Sequence, residues 1–441
     1  MAHRELVDLL ASLVSIDTSN DPLKGRFVGE GEGRAVFNEL RRVGFEGRLL
    51  LESGVPIILG IRGSGRPISL FMAHFDVVPP GPGWSRDPFT LHVEGDRAYG
   101  RGSADDKSNV ASITLAYLSA SISRGTLIVA FTGDEEIGGS RGAGFLAGYL
   151  KERNLWPDQV INGDGFLSSV ITRRRNAFTA RIMVEKSPGE YEGCTASREF
   201  HARTLNKETM HSAYFVPGVD VHPLIAASEW ARTTRIAISA LSGEWVKSNV
   251  IPRKASVKGI IPGNCSQKGP VDWGLTSLVR ALLPLSRAPV PVSLYSDFGV
   301  TINPNVYYAE NRWHVVELDI RAMESDKENI ENSLGKVVEE NLSGYKYELE
   351  VRGGKGYLYT SRGARIVELA LAVNKRLGLN PDPVEGAGAS DSRYFSTRGV
   401  ESIDYGPLGG NVHGADEYVY LSHLGLSMEF YRRLMEELHQ K

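Results

Sequence analysis

Cysteine and glutamine are scarce in this chain of 441 residues. Cysteine occurs only at positions 194 and 265, and glutamine only at positions 159, 267 and 440. Two cysteines allow one disulfide, but such sparse use excludes a disulfide-built scaffold and favours a reducing, cytoplasmic compartment. A low content of both residues is also typical of thermophilic proteins.

Long uncharged apolar runs are missing as well. None reaches the roughly 20 residues that are needed to cross a bilayer. The first residues, from Met1 to Leu6, also lack the apolar segment of a signal peptide. We therefore expect a soluble, intracellular protein that has no membrane partner.

An excess of charge of one sign is absent too. The chain has 50 Lys and Arg residues against 53 Asp and Glu residues, which gives a net charge of −3. This balance argues against a nucleic-acid partner that binds through a basic face. The contents of 41% hydrophobic and 23% charged residues are typical of globular proteins, and the length suggests about two or three domains.

What the chain does have is a series of acids and histidines, most of which directly follow an apolar run. They are His74 and Asp76 after the run 68–73, Asp105 within 100–107, Glu135 and Glu136 after 127–132, Asp164 after 160–161, and His413 within 409–414. Parallel strands that end in such residues can gather them in one crevice at an edge of a sheet. Two imidazoles with several carboxylates suit a pair of divalent metal ions, with zinc favoured.

The pattern of apolar residues predicts an α/β fold with a mostly parallel sheet. Helices are predicted over 4–16, 33–43, 106–121, 141–151, 222–233, 274–283, 326–341, 363–377 and 421–438, and strands over 48–61, 67–74, 126–132, 159–162, 178–184, 255–261, 313–321, 345–351 and 402–405. A hairpin is predicted over 87–99, with its turn at Gly95 and Asp96. We expect a catalytic metal-binding domain formed by 1–175 plus 355–441, and an inserted α+β domain of 176–354.

The pair Glu135 and Glu136 suggests a division of labour. Adjacent side chains that leave a strand point in different directions, so one carboxylate can bind metal while the other stays free as a general base. Asp76 is placed to orient the imidazole of His74. Taken singly, each of these residues could be a surface or turn residue, and Arg101 and Lys107 could be ordinary surface charges. The prediction depends on their joint occurrence at strand ends.

These residues stand in motifs that resemble a known family of dinuclear zinc enzymes. It includes acetylornithine deacetylase, succinyl-diaminopimelate desuccinylase, glutamate carboxypeptidase and carnosinase. The closest motif matches are His74-Phe75-Asp76-Val77-Val78-Pro79, the segment from Gly100 to Lys107, Thr132-Gly133-Asp134-Glu135-Glu136-Ile137-Gly138, and Asn411-Val412-His413-Gly414-Ala415-Asp416-Glu417. The resemblance extends over nearly the whole chain.

The resemblance implies a role for each of these residues. His74, Asp105 and Asp164 would hold one metal ion, and Asp105, Glu136 and His413 would hold the other. Glu135 would be the general base, and Asp76 would support His74. The two ions are expected to be zinc, with cobalt or manganese as alternatives.

The inserted domain resembles the lid through which most members of the family form homodimers. His211 aligns with a lid histidine that stabilises the oxyanion. Arg393 and Arg321 match arginines that would bind a substrate carboxylate, although an ion pair within the lid is an alternative for Arg321. Asn249 resembles a lid asparagine that contacts substrate, and Asn305 competes for this role.

The sequence thus predicts an enzyme, a two-metal amide hydrolase that acts on N-acyl amino acids carrying a free carboxylate. A dipeptidase or carboxypeptidase with the same site is the alternative. A non-catalytic binding protein on the same fold is a third interpretation, which the complete set of ligands and base disfavours.

Overall fold

The chain folds with the alternation of helices and strands that the sequence predicts. In this computed structural model, residues 2–205, 210–292, 294, 296 and 298–440 are described. The helices are α1 Ala2–Val14, α2 Glu30–Arg42, α3 Lys107–Ser119, α4 Ala143–Glu152, α5 Pro223–Thr234, α6 Trp273–Leu285, α7 Lys327–Leu342, α8 Arg365–Arg376, α9 Arg393–Ser396 and α10 Leu421–Leu438. No helix in these ranges has the length and apolar character that a membrane span requires.

The strands are β1 Arg48–Leu50, β2 Ile57–Ser64, β3 Ile68–His74, β4 His92–Glu94, β5 Arg97–Tyr99, β6 Gly125–Thr132, β7 Gln159–Asn162, β8 Ile171–Arg174, β9 Asn176–Glu185, β10 Pro188–His201, β11 Ala237–Gly243, β12 Lys254–Ile261, β13 Gln267–Asp272, β14 Thr301–Glu310, β15 Trp313–Ala322, β16 Tyr347–Gly353, β17 Leu358–Tyr359, β18 Val384–Gly386, β19 Glu401–Asp404, β20 Gly409–Gly410 and β21 Tyr418–Tyr420. The chain divides into a first unit, Met1–Arg174 with Tyr357–Lys441, and a second unit, Arg175–Gly356.

A large mixed sheet organises the first unit, in the order β1-β2-β6-β3-β7-β19-β8-β17 with β18 beside β8. The four central strands, from β6 to β19, run parallel, whereas β1 and β2 are antiparallel. Every residue of β3 and β6 is buried, as expected for strands that are covered on both faces. The α/β class is confirmed, and the parallel arrangement holds for the centre of the sheet.

Side chains that alternate along β3 enter two different cores. Phe71 packs into the cluster that includes α1, α3, α8 and α10, whereas Leu70 and Met72 pack into the cluster that includes α4. The two layers of helices leave the carboxyl ends of the central strands available for chemistry.

A second, small sheet of the first unit has the order β20-β21-β5-β4. Its β4 and β5 form the predicted hairpin, with the turn at Gly95 and Asp96. Strand β21 pairs with β5, so that Tyr418 lies opposite Tyr99. This pairing brings together segments that are more than 300 residues apart in the sequence.

The second unit contains two antiparallel sheets, β14-β15-β9-β16 and β11-β12-β10-β13. Helices α5, α6 and α7 share one hydrophobic core with residues of both sheets. The predicted α+β character is present, but the 14-residue strand β10 was not predicted. Apart from Gly193 and Phe200 its residues are exposed or half-buried, and its sequence is too polar to resemble a core strand.

The two cysteines pair with each other, Cys194 at β10 with Cys265 beyond β12. The one disulfide that two cysteines allow is therefore formed.

Candidate metal centre

Strand register brings four of the predicted residues, three of them predicted metal ligands, to one edge of the large sheet. His74 is the last residue of β3 and lies opposite Thr132 at the end of β6, just before Glu135 and Glu136. Met72 lies opposite Asn162 of β7. Asp164, two residues further on, is therefore level with His74. Parallel pairing explains why segments that are separated in sequence meet here.

The small sheet supplies the other two predicted ligands. Asp105 lies in the loop between β5 and α3, and His413 lies in the loop between β20 and β21. Because β21 pairs with β5, these two loops leave the same small sheet side by side. His413 adopts a left-handed backbone conformation with φ of 63°, which non-glycine residues rarely adopt outside constrained sites.

Asp105 lies between the two histidines and presents one oxygen to each. Its Oδ1 is 3.0 Å from His74 Nε2, and its Oδ2 is 3.1 Å from His413 Nε2. His413 Nε2 is also 3.0 Å from Glu136 Oε1. Ligand atoms of His74, Asp105 and Asp164 all lie within 4.8 Å of one another, and so do those of Asp105, Glu136 and His413.

The charges of this cluster fit divalent cations. Burial, followed by the neighbouring carboxylates of Asp164 and Asp391, raises the pKa of Glu135 well above its ordinary value. Burial also raises the pKa of Asp164, against the opposing effect of Arg174. Burial of several carboxylates close together costs free energy. Cations bound by these oxygens and by the imidazole nitrogens would offset that cost.

The pKa values of the two histidines are raised as well, because the neighbouring carboxylates favour the charged imidazolium. The Glu136 carboxylate is the main influence that raises the pKa of His413. For His74, burial disfavours the charged form, but hydrogen bonds with Asp105 and Asp76 outweigh it and raise the pKa. Each imidazole therefore lies in a field that attracts a positive charge.

Asp76 does more than the sequence predicts. His74 Nδ1 donates to the backbone oxygen of Asp76 at 3.0 Å, and the Asp76 carboxylate lies 3.5 Å away. The same carboxylate accepts the backbone N–H groups of Glu135 and Glu136, both at 3.1 Å. Asn20 Nδ2 donates to it at 2.8 Å. Asp76 thus fixes one predicted ligand and both glutamates, and Asn20 is a supporting residue that sequence reasoning missed.

Glu135 lies beside Arg393, another predicted site residue. Arg393 Nη2 is 3.9 Å from Glu135 Oε1 and donates to Asp391 Oδ1 and to the backbone oxygen of Gly138, both at 3.1 Å. The guanidinium is buried, so Asp391 and Gly138 hold its plane in a fixed orientation next to Glu135.

Arg174 is a further residue that the sequence analysis missed. It is buried, it donates to the backbone oxygen of Asp164 and it pairs with Asp404. Its Nη2 lies 3.7 Å from Asp164 Oδ1. It lies at the end of β8, which pairs antiparallel with β19. In the sequence, three consecutive arginines at 173–175 resemble a surface run.

Arg101 and Lys107 are not surface charges, because both are fully buried. Lys107 Nζ donates to the backbone oxygens of Leu13 and Ile16, at 2.9 and 2.7 Å. It thereby satisfies carbonyl groups at the end of α1, which a helix leaves without intrahelical partners. Burial lowers the pKa of Lys107 to about 7.

In the second unit, His211 and Asn249 lie next to each other. An isolated antiparallel bridge pairs His211 with Val250, and Asn249 Nδ2 is 3.3 Å from His211 Nε2. The backbone N–H of Ala213 donates to His211 Nδ1 at 3.1 Å. A neutral imidazole that accepts at Nδ1 carries its proton at Nε2, so Nε2 is a donor, and the Asn249 side chain would then turn its amide oxygen rather than its NH₂ group toward it.

The side chain of Asn305 makes its hydrogen bonds within the second unit. It is fully buried, and its oxygen lies 2.9 Å from His222 Nε2. Its amide nitrogen donates to Ser212 Oγ at 3.1 Å and to the backbone oxygen of Ser248. Asn305 therefore supports both segments that carry His211 and Asn249, without projecting from them.

Arg321 makes the alternative contact that the sequence analysis kept open. Its Nε and Nη2 donate to the two oxygens of Asp319, at 2.9 and 3.0 Å, and both side chains are buried. Such a bidentate pair occupies one edge of the guanidinium. This geometry favours an ion pair within the second unit over a substrate contact.

The chain matches the model of a protein family, Peptidase family M20/M25/M40, over residues 70–437. It belongs to this family. Membership makes it a metallohydrolase that cleaves amide bonds, and the resemblance noted from the sequence motifs is confirmed.

Individual relatives agree with this placement. A succinyl-diaminopimelate desuccinylase of Stenotrophomonas maltophilia is 24% identical over 411 residues, which cover 90% of this chain and 91% of the relative. A desuccinylase of Zymomonas mobilis is 28% identical over 302 residues, covering 65% of this chain and 76% of the relative. Among solved structures, the aminoacylhistidine dipeptidase of Vibrio alginolyticus has a TM-score of 0.71 at 18% identity and covers 99% of this chain and 97% of its own.

Proposed function

We propose that this member of the family is a two-metal deacylase that hydrolyses the amide bond of N-acyl amino acids. The observation that carries the proposal is the position of Asp105, which faces His74 with one oxygen and His413 with the other. A carboxylate shared in this way suits two cations that lie about 3.5–4 Å apart.

His74, Asp105 and Asp164 would hold one ion, and Asp105, Glu136 and His413 would hold the other. The imidazole and carboxylate donors favour zinc, with cobalt or manganese as alternatives. When bound, the ions supply Lewis acidity toward the scissile carbonyl and lower the pKa of water between them.

Glu135 is proposed as the general base. It binds no proposed metal ion, and Asp76 fixes its backbone while Arg393 lies beside its carboxylate. In the reaction, a Glu135 oxygen would take the proton of the attacking water and pass it to the leaving amine nitrogen. A pKa raised by burial suits this role, because a base with a higher pKa holds the transferred proton more readily.

His211 is proposed to stabilise the oxyanion through its Nε2 proton, with Asn249 beside it. Support comes from the hydrogen bond that Nδ1 accepts, which leaves Nε2 as a donor. Arg393 is proposed to bind the free carboxylate of the substrate, because its buried guanidinium is held in a fixed orientation by Asp391 and Gly138.

Two classes of substrate are compatible with the proposed site. The relatives named succinyl-diaminopimelate desuccinylase favour an N-acyl amino acid. The dipeptidase of Vibrio alginolyticus, similar over the whole chain, favours a small peptide. The zinc-loaded protein should be tested on matched N-acetyl, N-succinyl and aminoacyl derivatives of the same amino acids. A higher kcat/KM for an acyl derivative would support the deacylase, and a higher value for dipeptides would support a dipeptidase. Hydrolysis of neither class would refute both.

The remaining expectations depend on the family resemblance. We propose that the enzyme is cytoplasmic, acts on small molecules and has no nucleic-acid or membrane partner. We also propose that it forms a homodimer through the second unit, which would act as a lid. Light scattering with size-exclusion chromatography would test the dimer, since a monomer at micromolar concentration would contradict it.

A further inference from the structure

Glu417 lies at the end of the loop that carries His413, and it is fully buried. Both of its carboxylate oxygens accept hydrogen bonds from the backbone of the loop that ends at Asp105. Oε1 accepts from the N–H groups of Ala104 and Asp105, at 2.9 and 3.0 Å. Oε2 accepts from the N–H of Gly102 at 3.1 Å. The side chain of one loop therefore fixes the backbone of the other.

Arg101 extends this connection in the reverse direction. It is buried, and its Nη1 pairs with Glu417 Oε2. Its Nη2 donates to the backbone oxygen of Gly414 at 3.1 Å, next to His413. The guanidinium also lies 5.2 Å from the ring centroid of Trp84. The pair Arg101–Glu417 thus joins the Asp105 loop to the His413 loop from both sides.

The chemistry of these contacts requires a carboxylate. Oε1 and Oε2 each face only donors, and a glutamine in this place would turn an NH₂ group toward one of those donor sets. A buried group left without a partner costs free energy, and the loop would move to avoid it. The other proposed ligands, His74 and Asp164, leave the strands β3 and β7, where sheet register positions them instead.

We propose that Glu417, together with Arg101, is a positioning residue that sets the placement of Asp105 relative to His413. It would thereby control the affinity of the metal site formed by Asp105, Glu136 and His413, without touching the ion or the substrate. This inference rests on the proposed two-metal site. Residues that orient metal ligands typically change affinity by about 10–100-fold when they are substituted.

The test is the competition of zinc-loaded full-length protein with a chelator of known affinity, with the ions that remain counted by elemental analysis. For Glu417→Gln we expect the ion held by Asp105, Glu136 and His413 to bind at least about tenfold more weakly, because two of its three ligands lie on the disturbed loops. The other ion should lose less affinity, because sheet register holds His74 and Asp164 and only the shared Asp105 is displaced. Excess zinc should restore part of the activity. Unchanged affinity for both ions would overturn the proposal.

A matched control is Asp272→Asn in the second unit. Asp272 also accepts two backbone N–H groups, from Ser187 and Leu275, and contacts a partner side chain, His314. Its substitution should lower the melting temperature but leave both zinc affinities unchanged. If Glu417→Gln does not fold, Glu417→Asp keeps the charge but is one methylene too short to reach all three N–H groups, and the same loss is expected. Weakening of both ions equally in either variant would also count against the proposal.

This measurement separates the inference from the proposed function. If the wild type binds two ions but hydrolyses neither acyl amino acids nor dipeptides, the substrate proposal fails and the inference on Glu417 stands. If the wild type hydrolyses these substrates but Glu417→Gln retains zinc as the wild type does, only the inference fails. A wild type that binds fewer than two ions would refute both.

Discussion

The two units collect buried polar groups of different kinds. In the first unit, Asp105, Glu135 and Asp164 crowd together, and burial raises the pKa of the last two. In the second unit, the groups around His211 are amides and hydroxyls, and the nearby buried His222 has its pKa lowered to about 4 by burial. One cluster has an excess of carboxylates that cations would balance, whereas the other consists mainly of neutral groups that are hydrogen-bonded to one another. The first is therefore expected to depend on metal, and the second on pH.

Removal of metal should have the largest effect on activity, and its effect on the structure should be confined to the first unit. A chelator should abolish turnover, because the ions supply both the activated water and the polarisation of the carbonyl. Without them the carboxylates of the cluster repel one another. Hydrogen exchange followed by mass spectrometry should show faster exchange in 100–107 and 409–417.

The same experiment contains its own control. Peptides that cover 210–214 and 249–251 of the second unit should keep their protection, because their hydrogen bonds are made to Arg175 and to amide, hydroxyl and backbone groups, and not to the carboxylates of the metal cluster. Equal loss of protection in both units would contradict the expected difference between them.

The second largest effect on activity is expected for Glu135→Gln, which removes the proposed base but no proposed metal ligand. We expect kcat to fall by roughly 10²–10⁴-fold, while the protein folds and keeps both metal ions. Glu136→Gln is the matched variant at the adjacent position, and it should lose one ion. Activity measurements with elemental analysis distinguish the two glutamates, and full turnover in Glu135→Gln would refute its role as base.

In the first unit, the sequence was informative because residues that directly follow an apolar run lie at the carboxyl end of a strand in the sheet. His74, Glu135, Glu136 and Asp164 follow apolar runs that become adjacent parallel strands, so their meeting at one edge follows from register. The proximity of Asp105 and His413 was expected only from the family resemblance. It depends on the pairing of three-residue strands, β5 with β21, which have no distinct hydrophobic pattern.

In the second unit, the sequence alone gave much less. Strand β10 has one exposed face, and the disulfide joins residues 71 positions apart. The support of His211 by Asn303 and Asn305 requires that β14 lie next to Ser212. Antiparallel pairing over long separations leaves no local signal of this kind, so such residues are recognised only in three dimensions.

The variant His211→Ala tests whether the neutral cluster contributes to catalysis. Loss of one oxyanion donor should lower kcat by roughly 10²–10³-fold, with a smaller change in KM because the charge develops only in the transition state. His201→Ala is the control, since His201 is an exposed histidine of the same unit that pairs with Glu199. Equal kinetics for the wild type and His211→Ala would remove the second unit from the mechanism.

The smallest expected effect is a pH dependence of stability due to His222. Its Nδ1 accepts the backbone N–H of Leu224 at 3.2 Å, and its Nε2 therefore carries the proton that is donated to Asn305. Protonation of Nδ1 would break the first bond. Because the folded pKa of about 4 lies below the ordinary value of 6.5, the stabilisation is complete above pH 6.5 and is lost as pH falls toward 4.

The difference between the two pKa values corresponds to roughly 3 kcal/mol in the free energy of unfolding of the second unit. Carboxylates also titrate in this range, so the measurement compares urea unfolding of the wild type with that of His222→Gln at several pH values. Glutamine cannot titrate, and its stability should fall less between pH 6.5 and 4. Identical slopes would mean that His222 has the same pKa in the folded and the unfolded protein and becomes charged in both as pH falls, and the contrast between the two clusters would no longer hold.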